Sequence, residues 1–520
     1  MSDKQIHDFD SPLTCATAGS IINGTCQVDP SPAAWARCAA AHDRLRRCIA
    51  ESRHVYGITT GFGPLANRLI DPAEAVTLQQ NLVHHLATGL GAPLDWASAR
   101  AVCLARLSSI MQGYSGASRP SIEALVNLLN SDVAPIIPER GTVGASGDLT
   151  PLAHMVLALQ GRGGFMDRAG RRFDGTDGCH RIGLAPLDLH SRDGLALVNG
   201  TSAMTGIAVQ NAVDAGRLID WAVACNVALL EVLGGRAEAW SPVFVAIRPH
   251  RGQQEITRRL NSALGQSERA IHDPLCARRL DTFIAEELPG QDPYTLRCVP
   301  QVLGGVCDVL AWHDHTVLIE LNAVSDNPIF PPEGDLAAVH GGNFMGQQIA
   351  LVSDALANAL TVLAGLAERQ LARLTDETLN RGLPAFLHRG AAGLNSGFMG
   401  AQVTATATLA EMRSHGPASI QSISTNGANQ DVVSMGTIAA RIARQQVNHC
   451  AEIMAIFALG LAQAIELRCE MDCRPFSMSS KDLLTKVRSL SPALTEDRPL
   501  SHDIVHLAET MRNGELTAPR

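Results

Sequence analysis

The chain has 520 residues, of which 46% are apolar and 18% charged, with a formal net charge of −9. That composition supplies a large core and excludes a mainly disordered chain, and at roughly 100–200 residues per domain the length suits a few domains or one large helical body. No basic stripe interleaved with aromatics occurs, which argues against a nucleic-acid partner.

The start, MSDKQIHDFDSP, is polar and lacks the apolar stretch of a secretion signal, so a cytoplasmic location is expected. The first ~50 residues mix turn residues with one amphipathic segment, Ala33 to Ser52. Val55 to Asn67 is Gly-rich and has no helical period. From Pro72 the pattern turns helical, with Leu78, Leu82 and Leu86 at four-residue steps, and Leu94 to Gln112 and Ser121 to Leu129 follow as helices. Pro135 to Gly147, with its prolines and glycines, reads as loop. Pro151 to Gln160 reads as a short apolar helix, and Phe165 to Phe173 as a hairpin turning at Arg168-Ala169-Gly170.

From Thr201 the texture changes to long Ala/Leu/Val-rich windows: Thr201 to Leu233, Cys298 to Leu321, Asn343 to Leu374, Ala401 to Arg413 and Ser434 to Arg468. Such lengths predict a mainly α fold built on a bundle of long helices. Charges are sparse within them, so most faces must be buried, and oligomerisation readily supplies the neighbours. Three segments result: a loop-rich N-terminal region (1–200), a central long-helix bundle (201–474) and a polar helical tail (475–520). Ile349 to Ala367 and Ile453 to Ile465 are apolar enough to suggest a membrane. The first is broken by Asp354 and Asn358, and the second is too short to span about 30 Å, so both read as core helices.

The 13 cysteines are scattered without a CxxC. Cys469 and Cys473 have no second pair to complete a zinc site, so free thiols in a reducing compartment and no metal are expected. Gly61 to Ala66 fits GxGxxA, but Thr59-Thr60 stands where an apolar strand should be and Pro64 interrupts the pattern. His313-Asp314-His315 lies in a helical window, where adjacent residues face different ways and cannot converge on an ion.

Gly144-Ala145-Ser146-Gly147 lacks the full spacing of a nucleophile elbow but carries another chemistry. Gly147 has no Cβ, so its nitrogen can approach the carbonyl of Ala145. Closure onto that carbonyl and loss of water from Ser146 would give a five-membered ring bearing an exocyclic methylene. Such an electrophile is absent from the ordinary side chains. The tripeptide alone does not decide for it, since Ala-Ser-Gly also occurs in plain loops.

The flanks do. Gly141-Thr142-Val143-Gly144-Ala145-Ser146-Gly147-Asp148-Leu149-Thr150-Pro151-Leu152-Ala153 resembles the signature of the ammonia-lyases and aminomutases that act on aromatic amino acids. Five further blocks occur in the family's order: Tyr56 to Gly63, Leu197 to Thr201, Gln291 to Cys298, His340 to Phe344 and Asn429 to Val432. The resemblance implies the ammonia-lyase/fumarase-like fold and a homotetramer whose active sites are shared between chains, Tyr56 arriving from a different chain than the tripeptide loop. It implies a 4-methylideneimidazol-5-one (MIO) formed from Ala145, Ser146 and Gly147, with no external cofactor.

By the same resemblance Tyr56 is the base, Tyr294 a second phenol near the amine, and Arg297 the clamp on the substrate carboxylate. Asn199 and Gln291 bond the carboxylate and the MIO oxygen, Phe344 walls the pocket, Asp148 helps align the precursor and Leu149 touches the substrate ring. A phenolate base needs stabilisation, since tyrosine's ordinary pKa is ~10, and an alkaline optimum is expected.

His84-His85-Leu86 occupies the family's selectivity position, and His85-Leu86 fits the tyrosine type. An imidazole can exchange a hydrogen bond with a phenol while Leu86 lines the ring. Gln430 stands where histidine lyases carry a Glu, and Asn426, about one helical turn earlier, shares the aryl end. The expected activity is conversion of L-tyrosine to trans-p-coumarate and ammonia. Histidine ammonia-lyase, tyrosine 2,3-aminomutase and a catalytically dead scaffold are the alternatives, the last opposed by the intact tripeptide with Tyr56 and Arg297.

Overall fold

The amphipathic period after Ser31 forms a helix, Pro32–Ala50, whose N-cap Ser31 side chain accepts the Ala34 N–H at 3.0 Å. This computed structural model describes residues 5–277, 291–334 and 337–519. Eighteen α-helices lie among the described residues, and the protein is mainly helical, as the long windows predict. The helix expected from Leu94 is Trp96–Met111, and those expected from Pro72 and Ser121 are Ala75–Leu86 and Arg119–Asn130. The long windows become Ser202–Val232, Val299–Leu321, Gln347–Thr375, Met399–Ser414 and Gly436–Met471. The tail holds two helices, Met478–Leu490 and Ser501–Asn513.

Two compact units divide the chain. The first comprises Met1–Val213, His313–Asp354 and Pro417–Arg444; the second comprises Asp214–Trp312, Ala355–Gly416 and Gln445–Arg520. Within the first, the helix Trp96–Met111 is buried from Ser98 to Met111 and anchors a core with Leu125, Leu152, Val156 and Ile207. The hairpin expected at Phe165 to Phe173 is present as strands Gly164–Asp167 and Arg172–Asp174, paired antiparallel with Phe165 opposite Phe173. Val133–Pro135 adds a third strand to it. The expectation of loop from Pro135 onward needs correction. Pro138–Arg140 pairs antiparallel with Leu90–Pro93, because a proline at the first position of a strand removes no interior ladder bond. Apart from Ile136 and Ile137, between the strands Val133–Pro135 and Pro138–Arg140, loop begins only at Gly141.

Two arginines of this core have their charge matched by backbone carbonyls or by a carboxylate. Arg100 donates to the carbonyls of Ile21, Ile22, Leu128, Leu129, Ser131 and Val133, closing the C-terminal ends of Cys15–Ile22 and Arg119–Asn130. Arg192 makes a bidentate pair with Asp326 at 2.8 and 2.9 Å, both side chains wholly buried.

The second unit has its own core around Trp221, Leu303, Leu360 and Phe457. Gln347–Thr375 and Gly436–Met471 are long and apolar enough to cross a membrane by length and composition. Their most apolar stretches are 67% and 89% buried within the protein, as those of core helices are. The cysteines are free thiols, Cys469 and Cys473 included. His313 is buried on its helix, and no cluster able to hold a metal ion occurs among the described residues.

Candidate active site

The loop Gly141 to Asp148 owes its shape to glycine and to one threonine. Gly144, Ser146 and Gly147 have φ of +77°, +54° and +79°. The two glycines accept such angles freely, whereas Ser146 is held there by its surroundings. Thr142 Oγ1 accepts the Gly144 N–H at 3.0 Å and donates to the Gly147 carbonyl at 3.1 Å, which folds the loop back on itself. Met435 N–H, just before the helix Gly436–Met471, donates to the Val143 carbonyl at 2.9 Å. The loop also lies against the segment that leads into Ser202–Val232: Gly147 is bridged to Gly200, and Asp148 N–H donates to the Gly200 carbonyl at 2.8 Å. A Cβ on Gly147 would collide with that carbonyl.

Asp148 ties these helix starts together. Its buried carboxylate accepts the Met204 N–H at 2.8 Å and the Thr437 hydroxyl. Burial pushes its pKa up to about 6, against the pull of those donors and with the nearby Glu320 adding to the rise.

In front of the loop lies a cavity of about 810 Å³, all of whose walls belong to the first unit. It brings together Tyr56, His85, Leu86, Ala145, Ser146, Leu149, Asn199, Phe344, Asn426 and Gln430. Gly147 is buried behind it. Tyr56 is therefore on the same cavity as the tripeptide within one chain, which corrects the expectation that a different chain supplies it. The physical reason is local: Gln79, fully buried, donates to the Gly57 carbonyl at 2.9 Å and accepts the Leu195 N–H at 2.8 Å, docking the tyrosine loop onto its own chain. His340 Nε2 accepts the Tyr56 N–H at 3.2 Å.

The Tyr56 phenol oxygen accepts the Gly63 N–H at 2.8 Å, and its ring meets Phe62 edge-on at 6.1 Å. Asn199 Nδ2 donates to the Ser146 carbonyl at 3.1 Å, and Gln430 Nε2 donates to the Ser146 hydroxyl at 3.2 Å. Gln430 thus faces the tripeptide. It is not one helical turn from Asn426: Thr425 to Gln430 is a tight turn with Asn426, Gly427 and Ala428 all at positive φ, in which Asn426 Nδ2 donates to Gln430 Oε1 at 2.9 Å. His85 Nδ1 lies 3.0 Å from the Asn81 carbonyl one turn back. A carbonyl only accepts, so Nδ1 carries the proton and the neutral ring keeps Nε2 as an acceptor.

Gln291, Tyr294 and Arg297 lie in the second unit, where Gln291 and Arg297 line a separate cavity of about 310 Å³ with Arg236, Asp292 and Gln301. Arg297 donates to Gln291 Oε1 and stacks over the Tyr294 ring at 4.7 Å, while Tyr294 is 70% exposed. Sequence reasoning missed Met345 on the first cavity's wall, and the buried Gln79 and Arg106 behind it. A charged residue inside the largely apolar helix Trp96–Met111, a feature shared with Arg100, was the one available signal for Arg106.

The family profile described as aromatic amino acid lyase matches residues 13–489. The chain is 59% identical over 507 residues to a tyrosine ammonia-lyase of Cereibacter sphaeroides, covering 97% of both. It is 39% identical over 504 residues to a histidine ammonia-lyase of Koribacter versatilis, covering 92% of this chain and 93% of that one. Among solved structures, a tyrosine aminomutase from Streptomyces globisporus superposes with a TM-score of 0.92 at 35% identity, over 98% of this chain and 97% of that one. A turned Ala-Ser-Gly loop facing a tyrosine and a histidine across one cavity, on a chain that matches from residue 13 to residue 489, belongs to a member of the aromatic amino acid lyase family.

Proposed function

We propose that this protein is a tyrosine ammonia-lyase, converting L-tyrosine to trans-p-coumarate and ammonia. The observation that carries the reading is the single cavity holding Tyr56, the tripeptide and His85 together. The 59% identity to a tyrosine ammonia-lyase over nearly the whole chain supports it.

Elimination has two obstacles: an amine leaves poorly, and a β-proton is a weak acid. The tripeptide fits an MIO, because the loop is already turned at Ser146 and only glycine fits at position 147. That group supplies an electrophilic carbon for the substrate's amino group. Asn199 holds the Ser146 carbonyl, which stays a carbonyl in the ring, and Gln430 reaches the Ser146 hydroxyl that is lost as water. Tyr56 takes the β-proton. The Gly63 N–H aimed at its oxygen leaves the phenol as acceptor and stabilises the charge that develops there.

His85 reads the far end of the substrate. With Nδ1–H held by Asn81, Nε2 accepts the phenol O–H, and Leu86 and Leu149 line the ring. Phe344 walls the same cavity. Arg297, Gln291 and Tyr294 are supplied by a neighbouring chain of a homotetramer, Arg297 clamping the substrate carboxylate. The exposure of Tyr294, and of Trp312, Ile319, Val362 and Val403 on the long helices, supports such an assembly. Free thiols support a cytoplasmic location.

Mixing with L-tyrosine should raise near-ultraviolet absorbance as the conjugated acid appears, more strongly than L-phenylalanine or L-histidine does. A response confined to L-histidine would replace this reading with histidine ammonia-lyase; β-tyrosine as the main product would replace it with the aminomutase.

His85→Phe should lower the tyrosine-to-phenylalanine ratio of kcat/KM. The loss is one or two hydrogen bonds, on the order of 1–3 kcal/mol, or about 5- to 150-fold. Steady-state rates with both substrates check it, and an unchanged ratio would remove His85 as the selector.

A further inference from the structure

Three arginines lie fully buried in the first unit's core, and two of them are accounted for above. Arg106, on the helix Trp96–Met111, is not. Among the described residues it has no carboxylate in ion-pairing distance, since the nearby Asp326 is taken by Arg192. Its Nη1 donates to the Asn199 carbonyl and its Nη2 to Ser109 Oγ at 3.2 Å, while its buried Nε has no partner. Burial pushes its pKa down to about 10, so it is still a cation at neutral pH. A buried charge so thinly compensated is destabilising, and one held only by Asn199 and a serine calls for a purpose at Asn199.

The layers around it supply one. A Cβ on Gly200 would come within 2.6 Å of Arg106 Nη1, and a Cβ on Gly147 would collide with the Gly200 carbonyl. The Arg106 guanidinium thus lies directly against Gly200, and the Gly200 backbone directly against that of Gly147, with no room for a side chain on either glycine. The same Asn199-Gly200 segment sends the Asn199 amide to the Ser146 carbonyl and the Gly200 carbonyl to Asp148 N–H. Ser325 completes the clamp, its Oγ accepting the Thr201 N–H at 3.3 Å and its own N–H donating to Ser109 Oγ at 3.1 Å.

We propose that Arg106 is a positioning residue for ring closure: it fixes the Asn199-Gly200 segment as the template on which Ala145-Ser146-Gly147 is folded. The step it assists is redox-neutral. The Gly147 nitrogen bonds to the Ala145 carbonyl carbon. That carbonyl oxygen leaves as water with the Gly147 and Ser146 amide protons, and a C=N bond remains. The Ser146 hydroxyl leaves as a second water with the Ser146 α-proton. Arg106 gives up no proton in either loss. Its contribution is to hold the Asn199 carbonyl, so that Asn199 keeps the Ser146 carbonyl and Gly200 keeps the loop in register.

The inference rests on the ring-forming reading above. The test is intact-mass measurement of wild type, Arg106→Gln and Arg106→Lys harvested at one early time after induction, with thermal midpoints in parallel. Wild type should be lighter than its sequence by two waters. Arg106→Gln should fold yet remain mostly unshifted, ring closure being slowed roughly tenfold or more, the worth of one charge-assisted hydrogen bond. Arg106→Lys, which keeps the cation but can hold only one of the two partners, should show a mixture of both masses. A fully shifted Arg106→Gln with only a lowered midpoint would overturn the role and leave Arg106 structural. Should Arg106→Gln fail to fold, Arg106→Lys decides: a mixture upholds the role and a single, fully shifted mass overturns it. An unshifted wild type would instead sink the ring-forming reading itself.

Discussion

Ser146→Ala should fold and assemble as the wild type does and lose at least about a thousandfold in turnover, some 4 kcal/mol of transition-state stabilisation. The alanine has no hydroxyl to eliminate, so no methylene can form. Folding should be spared because the loop is held by contacts that do not use the Ser146 hydroxyl: Thr142 to Gly144 and Gly147, Met435 to Val143, and Asp148 to Gly200. Among the described residues the hydroxyl's one partner is Gln430, at the cavity wall. Intact mass is the independent check, since the wild type should lack two waters that Ser146→Ala does not lose in full. An active Ser146→Ala, or an active wild type of unshifted mass, would refute the assignment of the tripeptide.

Tyr56→Phe should lower kcat by about 10²–10⁴-fold, the usual worth of general acid–base catalysis. The ring and its edge contact with Phe62 are retained, and the tyrosine loop keeps its ties to Gln79 and His340 through backbone atoms. Stability should therefore fall by no more than the one hydrogen bond from Gly63 N–H, about 1 kcal/mol. Thermal midpoints and single-turnover rates with L-tyrosine separate the two effects. If more than about a tenth of the wild-type rate survives, outside that range, Tyr294 becomes the candidate base.

Much of the site could be read from residue order alone, because its chemistry is concentrated in short contiguous blocks. Ala145 to Gly147 needs neighbours two residues apart, and Tyr56, His85 and Asn199 each come within a local motif. Interactions between distant residues were not legible. Gln79 joins the tyrosine loop to Leu195, more than a hundred residues later, and nothing in the local pattern distinguishes it from a surface glutamine. Arg106 meets Asn199 in the same way. The turn at Asn426 was misjudged as one helical step because spacing alone does not report φ, and three successive residues there take left-handed angles.

By itself the sequence determined the helical class, the long helices and the candidate tripeptide Ala145-Ser146-Gly147, since these depend on periodicity and on neighbours along the chain. Tertiary structure alone decided that Tyr56 shares a cavity with Ser146 inside one chain, while Gln291 and Arg297 line another. It also decided that a glycine, not the motif's chemistry alone, is demanded at position 147, because the Gly200 carbonyl occupies the place of a side chain. The reason is physical: hydrophobic periodicity is a one-dimensional signal of which faces avoid water, whereas close approach of two backbones depends on how separate segments pack, which the pattern along the chain does not encode.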